Sequence, residues 1–288
     1  MMNNGPRESG KRHVLADLWV QLWQATIVGA FALAVLDGWA PPEHLPWTRL
    51  DLDRPVGVTT AAKIADLELP HRTTDTARIE DDTERCMQTL RDAGVEVERV
   101  DDIDDGGFCV VQGAVRITGG ELTPLRPEGL VMRCPLAVRY VIWERQTLRP
   151  AAEEILGSPV AGVEAGGYAC RRIYGSTDPT SRPSEHAEGN ALDVSAIRLE
   201  DGRRITVADD WGPIRQDSRA AQLERDEASG LPPLFSQPPS EPTTDEGRFL
   251  RRIRDEACDV FGTVLSPEYN EAHRDHLHLD GSRTPLCS

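Results

Sequence analysis

The sequence predicts an α+β fold: a small antiparallel sheet flanked by helices, preceded by a small α+β module and an N-terminal hydrophobic segment. Three observations carry that expectation. Residues 135–156 and 247–262 space their apolar side chains as helices do, residues 191–199 and 275–280 alternate as strands do, and residues 18–40 are predominantly apolar. With 288 residues, 39% of them hydrophobic, the chain can bury a core in one large domain or two modest ones.

The N-terminal stretch, residues 1–17, carries Arg7, Lys11 and Arg12 ahead of the apolar segment 18–40. That order suits a cytoplasmic flank followed by a membrane anchor, and Trp19, Trp23 and Trp39 sit where interfacial aromatics belong. An uncleaved anchor is the favoured reading. A cleaved signal peptide is the alternative, although no good small-x-small site precedes a polar residue. Four prolines in 40–59 mark a linker.

Residues 60–130 form the accessory module, with a helix over 82–95 and strands over 95–100, 108–118 and 129–134. The C-terminal domain, 131–288, opens with the helix 135–156. Pro135 is well placed at its start, whereas Pro150 is expected to kink or divide it. A strand and a turn-rich loop follow over 160–175, then a loop over 176–190. ALDVSAIRL (191–199) alternates, with Ala191, Asp193, Ser195 and Ile197 on one face and Leu192, Val194 and Ala196 on the other. Asp201-Gly202 turns it into a return strand over 201–207. Residues 212–247, rich in Pro, Ser, Asp and Glu, read as an insertion loop. The helix 247–262 shows Phe249, Ile253, Ala257 or Cys258, and Phe261 on its buried stripe, with Gly262 as its stop.

Net charge is −16, which argues against nucleic acid and against simple adhesion to anionic lipid. The acidity concentrated in 75–105 is a solvated, self-repelling surface. Six cysteines, Cys86, Cys109, Cys134, Cys170, Cys258 and Cys287, contain no CxxC pair. Their dispersed, even number fits structural disulfides in an oxidising compartment. Cys86 with Cys109 is the most local pairing, leaving Cys134, Cys170, Cys258 and Cys287 to staple the C-terminal domain.

HRDHLHLD (273–280) concentrates three of the seven histidines. On a strand, i and i+2 share a face, so His276, His278 and Asp280 point one way and Leu277 and Leu279 the other. His276 and His278 can therefore address one metal ion or its water, while His273 falls off that face and reads as a surface bystander. His13, His44 and His71 belong to no cluster. SEHAEGNALDV (184–194) offers the complement. His186 lies in a loop, Gly189-Asn190 permit a sharp turn, and Asp193 is a carboxylate among apolar neighbours that needs a partner, for which a metal is suited. Ser184 lacks a GxSxG context, and its hydroxyl is expected to orient the loop or a ligand.

SxHxxGxAxD followed by HxH resembles the pattern of LAS-type zinc peptidases, which include D-Ala-D-Ala carboxypeptidases, murein endopeptidases and lysostaphin-like enzymes. The stretches CPLAVRYVIWERQTLRPAAEEILGSPV, GGYACRRIYG, SEHAEGNALDV, FGTVLSPEYN and HRDHLHLD are more narrowly similar to the bacterial extensin-like C-terminal family, over roughly 134–287. The resemblance implies Zn2+ as cofactor, held by His186, Asp193 and His278, with a zinc-activated water as nucleophile. It makes His276 the proton handler, with Asp275 as substitute base or orienter, and Arg171 the stabiliser of developing negative charge, with Arg172 and Ser184 toward substrate. Glu185, Glu188 and Asp280 are candidates to orient the ligands.

The implied activity is cleavage of a peptidoglycan stem or cross-link peptide bond next to a D-amino acid, with endopeptidase preferred over carboxypeptidase on the HxH pattern. The implied location is the bacterial envelope, periplasmic, held to the inner membrane by the N-terminal segment or exported. A protein activator is not identified by the sequence. The alternative is a non-catalytic, zinc-containing module that binds cell wall or protein. The two readings part at His276, since a structural zinc needs no base beside it.

Overall fold

A computed structural model describes residues 9–68, 74–173, 180–214 and 242–288, and divides the chain into two compact units, 1–48 and 49–288. The first unit is built on the helix Ser9–Trp39, whose segment Gln21–Trp39 has a mean hydropathy of 1.3 and is long and apolar enough to cross a membrane. Trp19, Trp23, Phe31 and Trp39 are exposed on it. Residues 42–44 add a short 3-10 turn, and Trp47 donates its Nε1–H to Asp37 at 2.9 Å.

The second unit holds the rest. Its strands are β1 (Val95–Arg99), β2 (Ile103–Asp104), β3 (Val110–Val111), β4 (Ala114–Gly120), β5 (Leu125–Arg126), β6 (Val131–Arg133), β7 (Val160–Gly166), β8 (Ala191–Leu199), β9 (Arg204–Thr206), β10 (Thr263–Leu265), β11 (Leu277–Asp280) and β12 (Leu286–Cys287). Seven of them form the main sheet in the order β12-β10-β11-β8-β7-β5, with β9 also on β8. Its centre is antiparallel, and only the outer pairs β10–β12 and β5–β7 are parallel. Strands β1, β4 and β6 make a second antiparallel sheet, and β2–β3 a separate hairpin. The α+β class and the antiparallel sheet flanked by helices are as the sequence predicts.

The expected strand over 108–118 is split. Gly113, with φ 68°, interrupts it, so β3 and β4 join different sheets. The helix expected over 82–95 begins earlier, at Thr76, because the Asp75 side chain accepts from the Arg78 N–H at 3.1 Å and caps it.

From Cys134 to Leu156 the chain stays helical, but α-helical Cys134–Trp143 and Arg149–Ala151 alternate with π-helical Glu144–Leu148 and Ala152–Leu156. Wider turns on both sides thus accommodate Pro150, which has no N–H and would clash in a regular helix. All ten residues of Cys134–Trp143 are buried, so this helix is the centre of the core rather than an amphipathic cover. Leu192, Val194, Leu277 and Leu279 reach it from the main sheet, Phe249 and Ile253 from the helix Asp245–Ala257, and Leu52, Ile64 and Leu90 from the preceding segment. Residues 60–130 and 131–288 therefore share one core. Trp143 donates its indole N–H to the Ile253 carbonyl at 2.8 Å, which fixes helix against helix.

The C-terminal helix starts with the Thr244 hydroxyl accepting from Gly247 N–H at 3.1 Å and stops at Ala257, short of Gly262. Gly262 is not a helix stop. It lies so close to Ser282 that an added Cβ would sit 1.6 Å from the Ser282 carbonyl oxygen, and its N–H bonds Asp280 O at 2.8 Å as β10 begins. The disulfides are Cys86–Cys134, Cys109–Cys170 and Cys258–Cys287. The expected Cys86–Cys109 pair does not form, because Cys86 sits on the buried face of its helix against the central helix, and Cys109 faces the loop that leads out of β7. Most of the 212–247 insertion, and His71, lie outside the described residues.

Candidate metal centre

The loop before β8 is shaped by its own sequence. Ser184 caps a 3-10 turn over Glu185–Glu188, its hydroxyl accepting from His186 N–H at 3.4 Å. Gly189 closes the turn with φ 63°, and an added Cβ would lie 2.7 Å from Val111 of β3. The Asn190 side chain donates to Glu185 at 2.6 Å, and the Asn190 backbone carbonyl accepts from Gly281 N–H at 3.0 Å, tying the loop to the end of β11. His186 is buried as a result.

Strand pairing supplies the rest. His278 and Asp193 are opposite each other in the β11–β8 ladder, on the face away from the core. His186 Nε2 and His278 Nδ1 lie 3.0 and 2.9 Å from Asp193 Oδ1, and 3.2 Å from each other. The far nitrogens are held as well. The carbonyl of Gly167 accepts from His186 Nδ1–H at 2.7 Å, and Asp280 Oδ2 accepts from His278 Nε2–H at 3.1 Å. Because an acceptor engages each far nitrogen, a neutral imidazole must turn its lone pair inward. Three lone-pair donors then converge, an arrangement that needs either a proton or a cation at its centre.

Zinc fits this donor set. Its ligands at bonds of about 2.0–2.1 Å stand about 3.3 Å apart in a tetrahedron, close to the separations here. Without a cation, a proton serves. Burial opposes the charge on His278, but Asp193 and Asp280 outweigh it and hold the imidazole pKa up at about 9. Burial likewise opposes ionisation of Asp193, and its hydrogen bonds to His186 and His278 overcome this and hold it far below the usual carboxylate range.

His276 stands beside the trio, its Nε2 3.5 Å from Asp193 Oδ1. Its Nδ1 bonds Asp275 Oδ1 at 2.7 Å, so Asp275 is on the far side of the ring from Asp193. Arg171 brings Nη2 to 3.8 Å from Asp193 Oδ2. Arg172 turns the other way, stacking its guanidinium over the Phe108 ring at 4.7 Å and bonding the Ser181 carbonyl. Of the candidate orienting carboxylates, Asp280 contacts a cluster histidine, whereas Glu185 braces Asn190.

His273 is not a surface bystander. It is half-buried, bonds Asn270 through Nδ1 at 2.6 Å, and has its ring centroid 5.2 Å from His276 and 5.9 Å from His278. A 3-10 turn over Glu271–His273 brings it back beside the strand. Burial, with His276 and His278 nearby, pushes its pKa down to about 4, so it is neutral near pH 7.

The segment from Gly167 to Arg172 organises the site through its backbone as well as through Cys170 and its arginines. Gly167, Ala169 and Arg171 face the His186 loop, Ala169 N–H bonding His186 O at 3.2 Å and Arg171 O accepting from Ser184 N–H at 3.2 Å. Tyr168, Cys170 and Arg172 face the β2–β3 hairpin. Tyr168 donates to Asp105 at 2.5 Å, Cys170 is bonded to Cys109, and Arg172 covers Phe108. The hairpin therefore clamps the segment that holds both His186 and Arg171. Odd–even alternation over 167–172 is the signal for it in the sequence.

No curated protein and no solved structure matches the chain. The family model described as Extensin-like protein C-terminus matches residues 84–230 and 237–288, which take in the central helix, the clamped segment, His186, Asp193 and the HxH strand. The chain belongs to the extensin-like protein C-terminus family.

Proposed function

We propose that this chain is a zinc-dependent peptidoglycan hydrolase that cuts a stem-peptide or cross-link bond next to a D-amino acid. The observation that carries the reading is the inward convergence of His186 Nε2, Asp193 Oδ1 and His278 Nδ1, with a fourth side chain, His276, beside them and oriented separately. A purely structural zinc is closed by four protein ligands, whereas three ligands leave a position for water, with His276 beside it to handle its proton. When bound, zinc would polarise a carbonyl and lower the pKa of water from about 16 to about 7.

The chain's own residues supply the remaining chemistry. Asp275 engages His276 Nδ1–H, which leaves Nε2 with the lone pair and aims it at the cluster. His276 Nε2 accepts a proton from the attacking water and returns it to the leaving amine. Arg171 places positive charge beside Asp193, where a carbonyl oxygen becomes anionic. His273 is neutral near pH 7 and adds no charge there. Endopeptidase action is preferred, on the pattern His276-Leu277-His278. The apolar helix Ser9–Trp39 would hold the enzyme at the inner membrane, and the three disulfides favour the periplasmic side.

The test incubates the full chain in detergent with zinc and intact sacculi, and identifies released muropeptides by mass spectrometry, with His276→Ala and His186→Ala as controls. Release by the unsubstituted chain alone is expected. Zinc uptake without release under any condition would sink the hydrolase and leave a zinc-containing binding module.

A further inference from the structure

Beside the metal centre, the outward face of β7 is bare at Gly166, which is exposed, whereas Gly162 is buried. Gly162, Glu164 and Gly166 occupy its outward positions, so two of the three carry no side chain. The fold does not demand either glycine. Neither has a positive φ, and a Cβ would come no closer than 3.7 Å to a neighbour at Gly162 or 3.8 Å at Gly166, ordinary contact distances. Glycine inside a strand costs stability, and it marks places where a ligand or another backbone approaches closely. The resulting groove encloses about 650 Å³, within the size range of ligand clefts. Gly166, which lines the groove, is paired with Asp193, so one end of the groove adjoins the metal centre.

Its charge is unlike that of the chain. Arg126 stands on one side, and Ser195 and Arg198 on the other. In the floor, Glu164 takes Arg198 Nε at 2.6 Å and Arg204 Nη2 at 2.5 Å. Two guanidinium groups on one carboxylate leave positive charge over, within a chain of net −16. Arg198 and Arg204 are about half exposed, so they can meet a ligand without prior rearrangement. Arg126 is paired with Glu128, which is largely exposed and exchanges readily with a competing anion.

We propose that this glycine-floored groove is the subsite for an extended peptide bearing free carboxylates, with Arg198 as the residue that selects for them. The proposal rests on the hydrolase reading for the identity of its peptide, though not for the groove itself. An extended backbone lies along the strand face at Gly166, and its carboxylate shares the surplus charge of Arg198 and Arg204, a charge-assisted contact in a groove whose Gly166 end adjoins Asp193.

The test uses the full zinc-loaded chain carrying His276→Ala, which allows binding without turnover. The probes are soluble disaccharide-peptides released from sacculi by a muramidase, with free carboxylates or after amidation, and binding is read by calorimetry. Arg198→Glu weakens the free-carboxylate probe about tenfold, the scale of one charge-assisted contact, and amidation does the same without adding to it. Gly166→Val, a residue suited to strands, weakens both probes by filling the floor. Equal affinity for both probes in all variants, or no binding at all, overturns the groove. Should Gly166→Val fail to fold, the exposed Arg198→Glu still decides. Binding as described, but no cleavage by the chain with His276 intact, would sink the hydrolase reading and leave the groove standing.

Discussion

Two carboxylates on either side of the main sheet show how a structural polar group differs from a functional one. Glu144, in the central helix, is wholly buried. Its Oε1 accepts from Thr123 N–H at 3.0 Å, from the Thr123 hydroxyl at 2.5 Å and from Arg149 Nε at 2.6 Å, and Oε2 accepts from Arg149 Nη2 at 2.9 Å. Both oxygens meet donors, four in all, and the set is complete in itself. Asp193, on β8, faces His186, His278 and His276, whose inward nitrogens are acceptors when neutral. Here acceptors face acceptors, and the set is complete only with something added. Burial alone does not distinguish the two, whereas the balance of donors and acceptors does.

The sharpest way to break this contrast is to remove a group from each. His186→Ala is expected to abolish zinc uptake and hydrolysis while leaving the fold intact, since a surplus acceptor is removed. Glu144→Ala should do the opposite. It leaves Arg149 and Thr123 without their acceptor and is expected to cost about 2 kcal/mol, toward the low end because Arg149 can turn to water. Zinc stoichiometry should not change. Thermal melts and metal analysis on both variants check this, and loss of zinc from Glu144→Ala would erase the contrast.

His276→Ala sharpens it next. The residue lies beside the trio and is assigned no bond to the metal, so zinc should stay while the turnover number falls by about 10²–10⁴, the usual worth of a general acid–base group. Loss of zinc from this variant would make His276 a ligand instead.

Asp280→Asn probes the outer contact on His278. Weaker zinc binding by about 10–100-fold is expected, as for other groups that orient a ligand. The pH dependence follows from the same pair. A pKa raised to about 9 means the proton on His278 stabilises the metal-free fold below the ordinary histidine range, and that contribution is lost as pH rises through 9. Zinc competes with that proton, so its apparent affinity should climb about tenfold per pH unit from 7 to 8 and level off near 9. Asp280→Asn lowers the plateau and brings it to lower pH, which a chelator competition would register.

The smallest effect belongs to the clamp. Tyr168→Phe removes its bond to Asp105 but leaves the Cys109–Cys170 bridge, and should lower turnover a few-fold with zinc unchanged. Added Cys109→Ser should deepen the loss, because Arg171 then hangs on a loop held at fewer points.

What the sequence made legible was local. Strand alternation put His276 and His278 on one face, and Ser184, Gly189 and Asp193 marked a loop shaped to return on its own strand. Missing were the features that depend on pairing between distant segments. Gly167 offers a backbone carbonyl, which no side chain announces, and it meets His186 only because β7 lies along β8. The disulfide partners follow from which distant segments pack together, so the nearest cysteines in sequence proved the wrong pair. His273 was misplaced because strand alternation cannot describe the 3-10 turn that precedes the strand. The bare stretch of β7 at Gly166 emerges only with the bulged β7–β8 register, which sets it opposite Asp193.

The central claim is that one cation replaces one proton among three acceptors. Zinc titration of the chelator-treated full chain, by calorimetry near pH 7 in buffers of different ionisation enthalpy, reads both quantities together. The account predicts one zinc per chain with release of close to one proton from His278, and no binding in His278→Ala. Absence of zinc uptake, or uptake unchanged in His278→Ala, would contradict it.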